Sequence, residues 1–223
     1  MSPPNKSVVQ NPHYRMAGDE GVAIGRAGTQ GGWYEFAATF CVAHEVLDVG
    51  CGLGKGLEIL ARVARKATGI DQDERLERPG IKKMDLSEVP SKSVDTVVCI
   101  DVIEHVEDDH SFVQDLVRVA RQQILLSTPN YTASRCQWPY HVREYMPHEL
   151  NALFADQREV HMYKGRQFGD LRYEVTHYSA YVMLNKLRVN PTTGLLIRCY
   201  NKLLPVPARI HSHLFLRVVV AEV

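Results

Sequence analysis

Residues 46–56 read VLDVGCGLGKG, four glycines in eleven positions directly behind an apolar run. Glycine in a turn reaches positive φ, or lets another molecule lie against the backbone. Val46, Leu47 and Val49 read as a buried strand. Residues 55–66 read as a helix with Leu57, Leu60, Ala61 and Ala64 on one face. A strand, a glycine turn and a helix in this order point to an open α/β sheet. Ligands bind such sheets beyond the carboxyl ends of the strands.

The alternation continues along the chain. KATGIDQD reads as a second strand ending in acids, IKKMDL as a weaker third and VDTVVCIDVI as a strong fourth. DDHSFVQDLVRVAR reads as a helix, and QQILLSTPN as a fifth strand stopped by Pro129. Short links between alternating strands and helices predict a parallel sheet covered on both faces, with right-handed crossovers. Residues 131–152 interrupt the pattern as an insertion in which Pro147 opens a short helix. REVHMYKG reads as a sixth strand. Residues 174–204 carry a helical pattern broken by NPTTG, and HLFLRVVVAEV is the final strand. WYEFAATF reads as an amphipathic helix. The expected organisation is an N-terminal cap over residues 1–40 and one catalytic domain over 41–223. The cap and residues 131–145 together should form a substrate wall.

Gly50, Gly52 and Gly54 are spaced GxGxG. The dinucleotide form GxGxxG fails, because Lys55 or Leu57 stands where its third glycine belongs. The phosphate loop GxxxxGK[ST] is absent too. A plain strand-to-helix turn would account for the glycines alone. Asp71 and Asp85 argue for more. Asp71 closes the second strand, where an acid accepts hydrogen bonds from ribose hydroxyls. Asp85-Leu86 closes the third strand, where it would meet an adenine ring. Either acid alone would be an ordinary surface residue; in this order they outline a nucleoside site.

VLDVGCGLGKG, GIDQD, MDL, VDTVVCIDVIEHV and ILLSTPN together resemble the class I S-adenosylmethionine-dependent methyltransferases. The resemblance spans residues 44–155 and, more loosely, the final strand. It implies a doubly wound, Rossmann-like seven-stranded mixed sheet of order 3-2-1-4-5-7-6, with strand 7 antiparallel. It also implies S-adenosylmethionine as cofactor. By position, Asp48, Gly50, Gly52 and Gly54 would border its methionine part. Asp71 would hold the ribose, with Gln72 beside the adenine. Asp85 and Leu86 would contact the adenine, and Asp101 and Val102 would form the floor below the sulfonium. No phosphate has to be held, so Lys55 reads as a solvated helix-start residue.

Methyl transfer needs a nucleophile held in line with the sulfonium methyl, and a base for its proton. Glu104 and His105, after the fourth strand, and His141, in the insertion, are the expected catalytic residues; Glu144 could reach the same cleft. The bland alternatives are a satisfied strand-to-helix cap for Glu104-His105 and a loop hydrogen bond for His141. Tyr14, Trp33, Tyr34, Trp138 and Tyr140 could roof a substrate, with ordinary packing favoured for Trp33 and Phe36.

DxxEH with a later His also resembles the pattern of RNA-terminal 2′-O-methyltransferases and quinone O-methyltransferases. That resemblance implies a divalent metal held by Asp101, Glu104, His105 and His141. The metal-free reading is preferred, because Glu104 and His105 are adjacent and would diverge by about 100° on a helix. A non-catalytic, cofactor-binding scaffold is the third reading.

Lys+Arg and Asp+Glu both total 26, so no uniformly basic surface exists and a dedicated nucleic-acid partner is disfavoured. The five cysteines show no CxxC pair and read as reduced thiols of a cytoplasmic protein. No stretch is long and apolar enough to span a bilayer. The expected partner is a small-molecule or glycan acceptor, methylated on oxygen or nitrogen. Nothing in the sequence sets an oligomeric state.

Overall fold

The computed structural model describes residues 30–138 and 141–221. Tyr14, Tyr140 and most of the expected cap lie outside the described residues. The elements in chain order are helix α1 (Gly31–Ala38), β1 (Glu45–Val49), α2 (Lys55–Leu60), β2 (Lys66–Asp71), β3 (Ile81–Lys83), β4 (Val94–Ile100) and α3 (Asp109–Val119). There follow β5 (Ala120–Pro129), α4 (Tyr131–Ser134), α5 (Pro147–Ala152), β6 (Glu159–Gly165), β7 (Arg172–Glu174), α6 (Tyr178–Val189), α7 (Gly194–Leu203) and β8 (His213–Val219).

The strands form one sheet of order β3-β2-β1-β4-β5-β8-β6-β7. The pairs from β3 to β5 are parallel, while β8 runs antiparallel to both β5 and β6. The expected topology therefore holds, with β8 as the antiparallel seventh strand of the expected order. It gains one strand: β7 folds back on β6 through a turn in which Gly169 takes φ 67°. RQFGD allowed this hairpin, but three residues were too few to show a strand period. Helix α2 stops at Leu60, short of the expected residue 66; residues 61–65 turn back to deliver the chain to β2.

Successive strand residues face opposite layers. Leu47, Val49, Val97, Cys99, Ile124 and Leu126 pack with Val113 and Leu116 of α3. Val46, Val98, Ile100, Leu125 and Phe215 pack on the other side with Trp33, Tyr34 and Leu60. Trp33 is fully buried and stacks on Phe215, ring centroids 5.5 Å apart. Helix α1, in the stretch assigned to a cap, is thus part of the core layer. Among the described residues no helix is long and apolar enough to cross a membrane.

Candidate active site

The glycine loop runs from β1 into α2. Gly50, Gly52 and Gly54 have φ of 69°, 52° and 74°. A Cβ on Gly50 would strike the Val102 side chain at 2.6 Å, so that glycine lets the first and fourth βα loops pack together. A Cβ on Gly52 would meet no atom of the described residues within 4 Å: its face opens into a cradle. Asp71 at the end of β2 fixes the cradle's shape, accepting from the Gly52 N–H at 2.9 Å and the Asp73 N–H at 3.1 Å. Beneath it Asp48 is fully buried; Tyr34 donates to one carboxyl oxygen at 3.2 Å and the other has no partner among the described residues. Burial pushes the Asp48 carboxyl up to about 8, against the hydrogen bond from Tyr34.

On the β3 side, Asp85 caps the turn Leu86–Glu88, accepting from the Ser87 N–H at 2.9 Å. Gln72 donates to the same carboxylate at 3.0 Å, and Leu86 is buried. These residues fit a nucleoside cofactor. An open backbone cradle, a buried Asp48 oxygen with no partner among the described residues and a Gln–Asp edge suit an adenine-bearing molecule. Lys55 pairs with Glu58 at 3.5 Å, both largely exposed, as a solvated helix-start residue would.

A second region lies beyond β4 and β5. Asp101 takes φ 53°, a conformation unusual without glycine. Ser127 donates to its carboxylate at 2.6 Å, Gln30 at 3.0 Å, and the His213 imidazole lies 3.5 Å away. Burial opposes ionisation of Asp101, but His213 and these hydrogen bonds prevail and hold its carboxyl below the usual range. Three residues on, Glu104 is buried and pushed well up by burial and then by the Asp101 charge. The two carboxyls are therefore pushed in opposite directions, Asp101 down and Glu104 up; Glu104 also accepts from Thr128 at 3.1 Å.

The insertion is stitched onto this loop. Val142 and Arg143 N–H groups donate to the Glu104 carbonyl, and Tyr145 and Arg143 both donate to Asp109. This places His141 beside His105, rings edge-to-face at 4.9 Å. His141 Nδ1 contacts Glu144 at 2.6 Å. Glu144 is buried, yet hydrogen bonds from His141, Ser134 and the Cys136 N–H hold its carboxyl below the usual range.

Between these groups lies a cleft of about 500 Å³. Asp101, Glu104, His105, His141, Glu144 and Trp138 line it, together with Ser212 and the two side chains that meet Asp101, Gln30 and His213. The sequence-predicted residues thus divide in two. Asp48, Gly50, Gly52, Gly54, Asp71, Gln72, Asp85 and Leu86 belong to the glycine loop and the β2–β3 edge. Glu104, His105 and His141 share the cleft, and Asp101-Val102 joins the two regions. Donor atoms of Glu104, His105 and His141 all lie within 4.8 Å of one another. The expected divergence of Glu104 and His105 is therefore wrong: Ile103–His105 is a tight 3₁₀ turn, not the start of an α-helix.

His213, Gln30 and Ser127 escaped the sequence reading. His213 starts β8, and an antiparallel strand begins at the edge where the parallel strands end. The expected strand order contained that signal for His213. Gln30 lies in a segment with no periodic pattern and gave none.

Residues 47–126 match the family model described as a methyltransferase domain. A Mycobacterium tuberculosis protein named "probable S-adenosylmethionine-dependent methyltransferase" is 36% identical over 140 residues, 55% of this chain and 51% of the relative. A ubiquinone biosynthesis O-methyltransferase of Paracidovorax citrulli is 34% identical over 120 residues, 46% of this chain and 50% of the relative. The chain thus spans about half the length of the curated relatives it matches. Among solved structures, the N-methyltransferase NodS of Bradyrhizobium japonicum, bound to S-adenosyl-L-homocysteine, superposes with TM-score 0.59 at 12% identity. That alignment covers 96% of this chain and 98% of that one. A [4+2]-cyclase, SpnF, shares the fold at TM-score 0.51 and 14% identity, covering 83% of this chain and 80% of that one.

Proposed function

We propose that this chain, which carries a class I S-adenosylmethionine-dependent methyltransferase domain, methylates an oxygen or nitrogen of a small molecule or glycan. The observation that carries this reading is the His141–Glu144 pair, set at 2.6 Å on the wall of the cleft. S-adenosylmethionine, when bound, supplies an activated methyl group on a cationic sulfur. Gly50, Gly52, Asp71, Gln72, Asp85 and Leu86 would hold it, with Asp48 below the loop.

The protein's own work is orientation and proton transfer. Glu144 engages Nδ1 of His141, which leaves Nε2 to take the acceptor's proton as the new bond to carbon forms. Asp101, fixed by Ser127, Gln30 and His213 and with its carboxyl held below the usual range, would place negative charge where a cationic sulfur is stabilised. Trp138, 41% exposed on the rim, offers an aromatic wall to a ring or sugar face. Fold alone does not choose the reaction, as the cyclase with the same architecture illustrates.

The test is turnover of methyl-labelled S-adenosylmethionine against a panel of hydroxylated and aminated small molecules and sugars. The expected result is labelled product with at least one acceptor, cut by about 10²–10⁴-fold in His141→Ala. Cofactor binding without product from any acceptor would favour the scaffold reading instead.

One observation favours a second reading. The close approach of Glu104, His105 and His141 provides a carboxylate and two imidazoles, a set that suits Mn²⁺, Fe²⁺ or Zn²⁺. Such an ion would supply Lewis acidity to an acceptor hydroxyl. Glu104 would have to give up the proton its burial favours. Loss of turnover on exhaustive chelation, restored by one of these metals, would select this reading. Full turnover after chelation would select the protein base.

A further inference from the structure

Helix α7 turns its apolar side outward. At 100° per residue, Leu195, Cys199, Leu203, Leu196 and Tyr200 fall within an arc of about 140°. Leu195 is 73% exposed, Leu196 71% and Leu203 83%. On the other side Gly194 is buried, and Ile197, Asn201 and the capping Leu204 are partly covered. An amphipathic helix normally buries its apolar stripe; here the stripe is what the molecule displays.

The stretch of chain that carries this helix has charge of one sign. No Asp or Glu occurs between Glu174 and Glu222, while Lys186, Arg188, Arg198, Lys202 and Arg209 fall in that stretch. Arg198 and Lys202 flank the apolar arc on the same helix. Arg135 and Arg198 both lie near enough to Arg188 to act on it as like charges. A chain of zero formal net charge has thus gathered cations around its most exposed leucines.

We propose that α7 docks this protein on an anionic lipid bilayer, the leucines entering the interface and the arginines and lysines meeting the headgroups. Both components of the face are needed for that occupant, since buried apolar area and attraction to anionic lipid add in interfacial helices. A second copy of the chain is a poorer occupant, because a self-complementary contact through this face would set Arg198 and Lys202 against their own counterparts.

The docking element continues from α6 through the Gly194 N–H, which donates to the Asn190 carbonyl at 2.8 Å, and α6 is tied to the cleft. Asn185 of α6 accepts from Asn130 at 3.2 Å, and Arg135 donates to the Arg188 carbonyl at 2.9 Å. Asn130 caps α4, whose Ala133 and Ser134 line the cleft. Docking through α7 would therefore hold the cleft at a fixed position relative to the bilayer surface.

The test is co-sedimentation of the full chain with vesicles of pure phosphatidylcholine and of phosphatidylcholine with a third phosphatidylglycerol. The expected result is binding to the anionic vesicles at least tenfold tighter, weakened by raising salt from 0.1 to 0.5 M. Leu195→Glu with Leu203→Glu should abolish it, and Arg198→Glu with Lys202→Glu should weaken it at least tenfold. All four side chains are exposed, and unchanged thermal melts would confirm that the variants fold. No binding to either vesicle, or binding untouched by both double variants, overturns the proposal. So does a solution dimer that Leu195→Glu dissociates, which would make this face a self-association surface.

Discussion

Gly52 separates two demands on one backbone position. Its φ of 52° costs an L-residue about 1–2 kcal/mol, but its added Cβ would touch no atom of the described residues. Gly52→Ala is therefore expected to fold, with a small loss of melting temperature and a large loss of S-adenosylmethionine affinity by calorimetry. Retained affinity would mean that the cradle is not where the cofactor lies. Asp71→Ala should weaken binding by about 1.5–3 kcal/mol, the range for hydrogen bonds to a charged group. Asp73→Ala should act on stability instead, since that side chain is engaged with Arg75 at 2.6 Å. Equal affinity losses in the two variants would contradict the assignment of Asp71 to the ribose.

Asp48 gives a pH signature. Its folded carboxyl titrates near 8, far above its ordinary value of 3.8. The folded state therefore keeps a proton that the unfolded chain has released. The associated stability is complete below about pH 4 and is lost as pH rises toward 8. Asp48→Asn stays neutral throughout, so its advantage over the parent should grow across that window, to at most roughly 5 kcal/mol. Thermal melts of both proteins without cofactor at pH 5 and pH 8 measure this. A constant difference would show that Asp48 does not titrate in that range.

At the scale of elements, α1 is held by burial more than by its own propensity. It begins with two glycines and lacks a side-chain cap. Burial is the reason it forms: Trp33 stacks on Phe215 of β8, and Tyr34 lies against Gly56 of α2. Trp33→Ala should cost about 3–5 kcal/mol in urea unfolding, as deletion of a buried large aromatic does. A loss below about 1 kcal/mol would place the helix outside the cooperative core. The same helix follows directly on Gln30, which reaches Asp101, so loosening it should also raise the acceptor KM.

For the whole molecule, ligand and fold are linked by mass action. A cofactor that binds only the folded chain, present at 100 times its Kd, adds about 2.7 kcal/mol. For a chain of this length that amounts to a rise of about 5–10 °C in melting temperature. S-adenosylmethionine and S-adenosyl-L-homocysteine should both produce it, and NAD at equal concentration should not. A shift with NAD alone would overturn the cofactor assignment.

The sequence by itself determined the order and type of nearly every core element. It also determined the residues of the glycine loop and of the β2–β3 edge. Those features are local: alternation of buried side chains, a glycine turn at fixed spacing, an acid at each strand end. Tertiary structure decided the cleft. Asp101, His141, His213 and Gln30 meet only because β8 runs antiparallel beside β5 and the insertion folds back on the Glu104 carbonyl. Tertiary structure also decided that Glu104 and His105 converge, since a 3₁₀ turn and an α-helix start look alike over three residues. The ionisation contrast between Asp101 and Glu104 is likewise invisible in the chain, because burial and the facing imidazole create it. The outward face of α7 belongs here too. Its amphipathic pattern is written in the sequence, but only packing reveals that the apolar side faces away from the core.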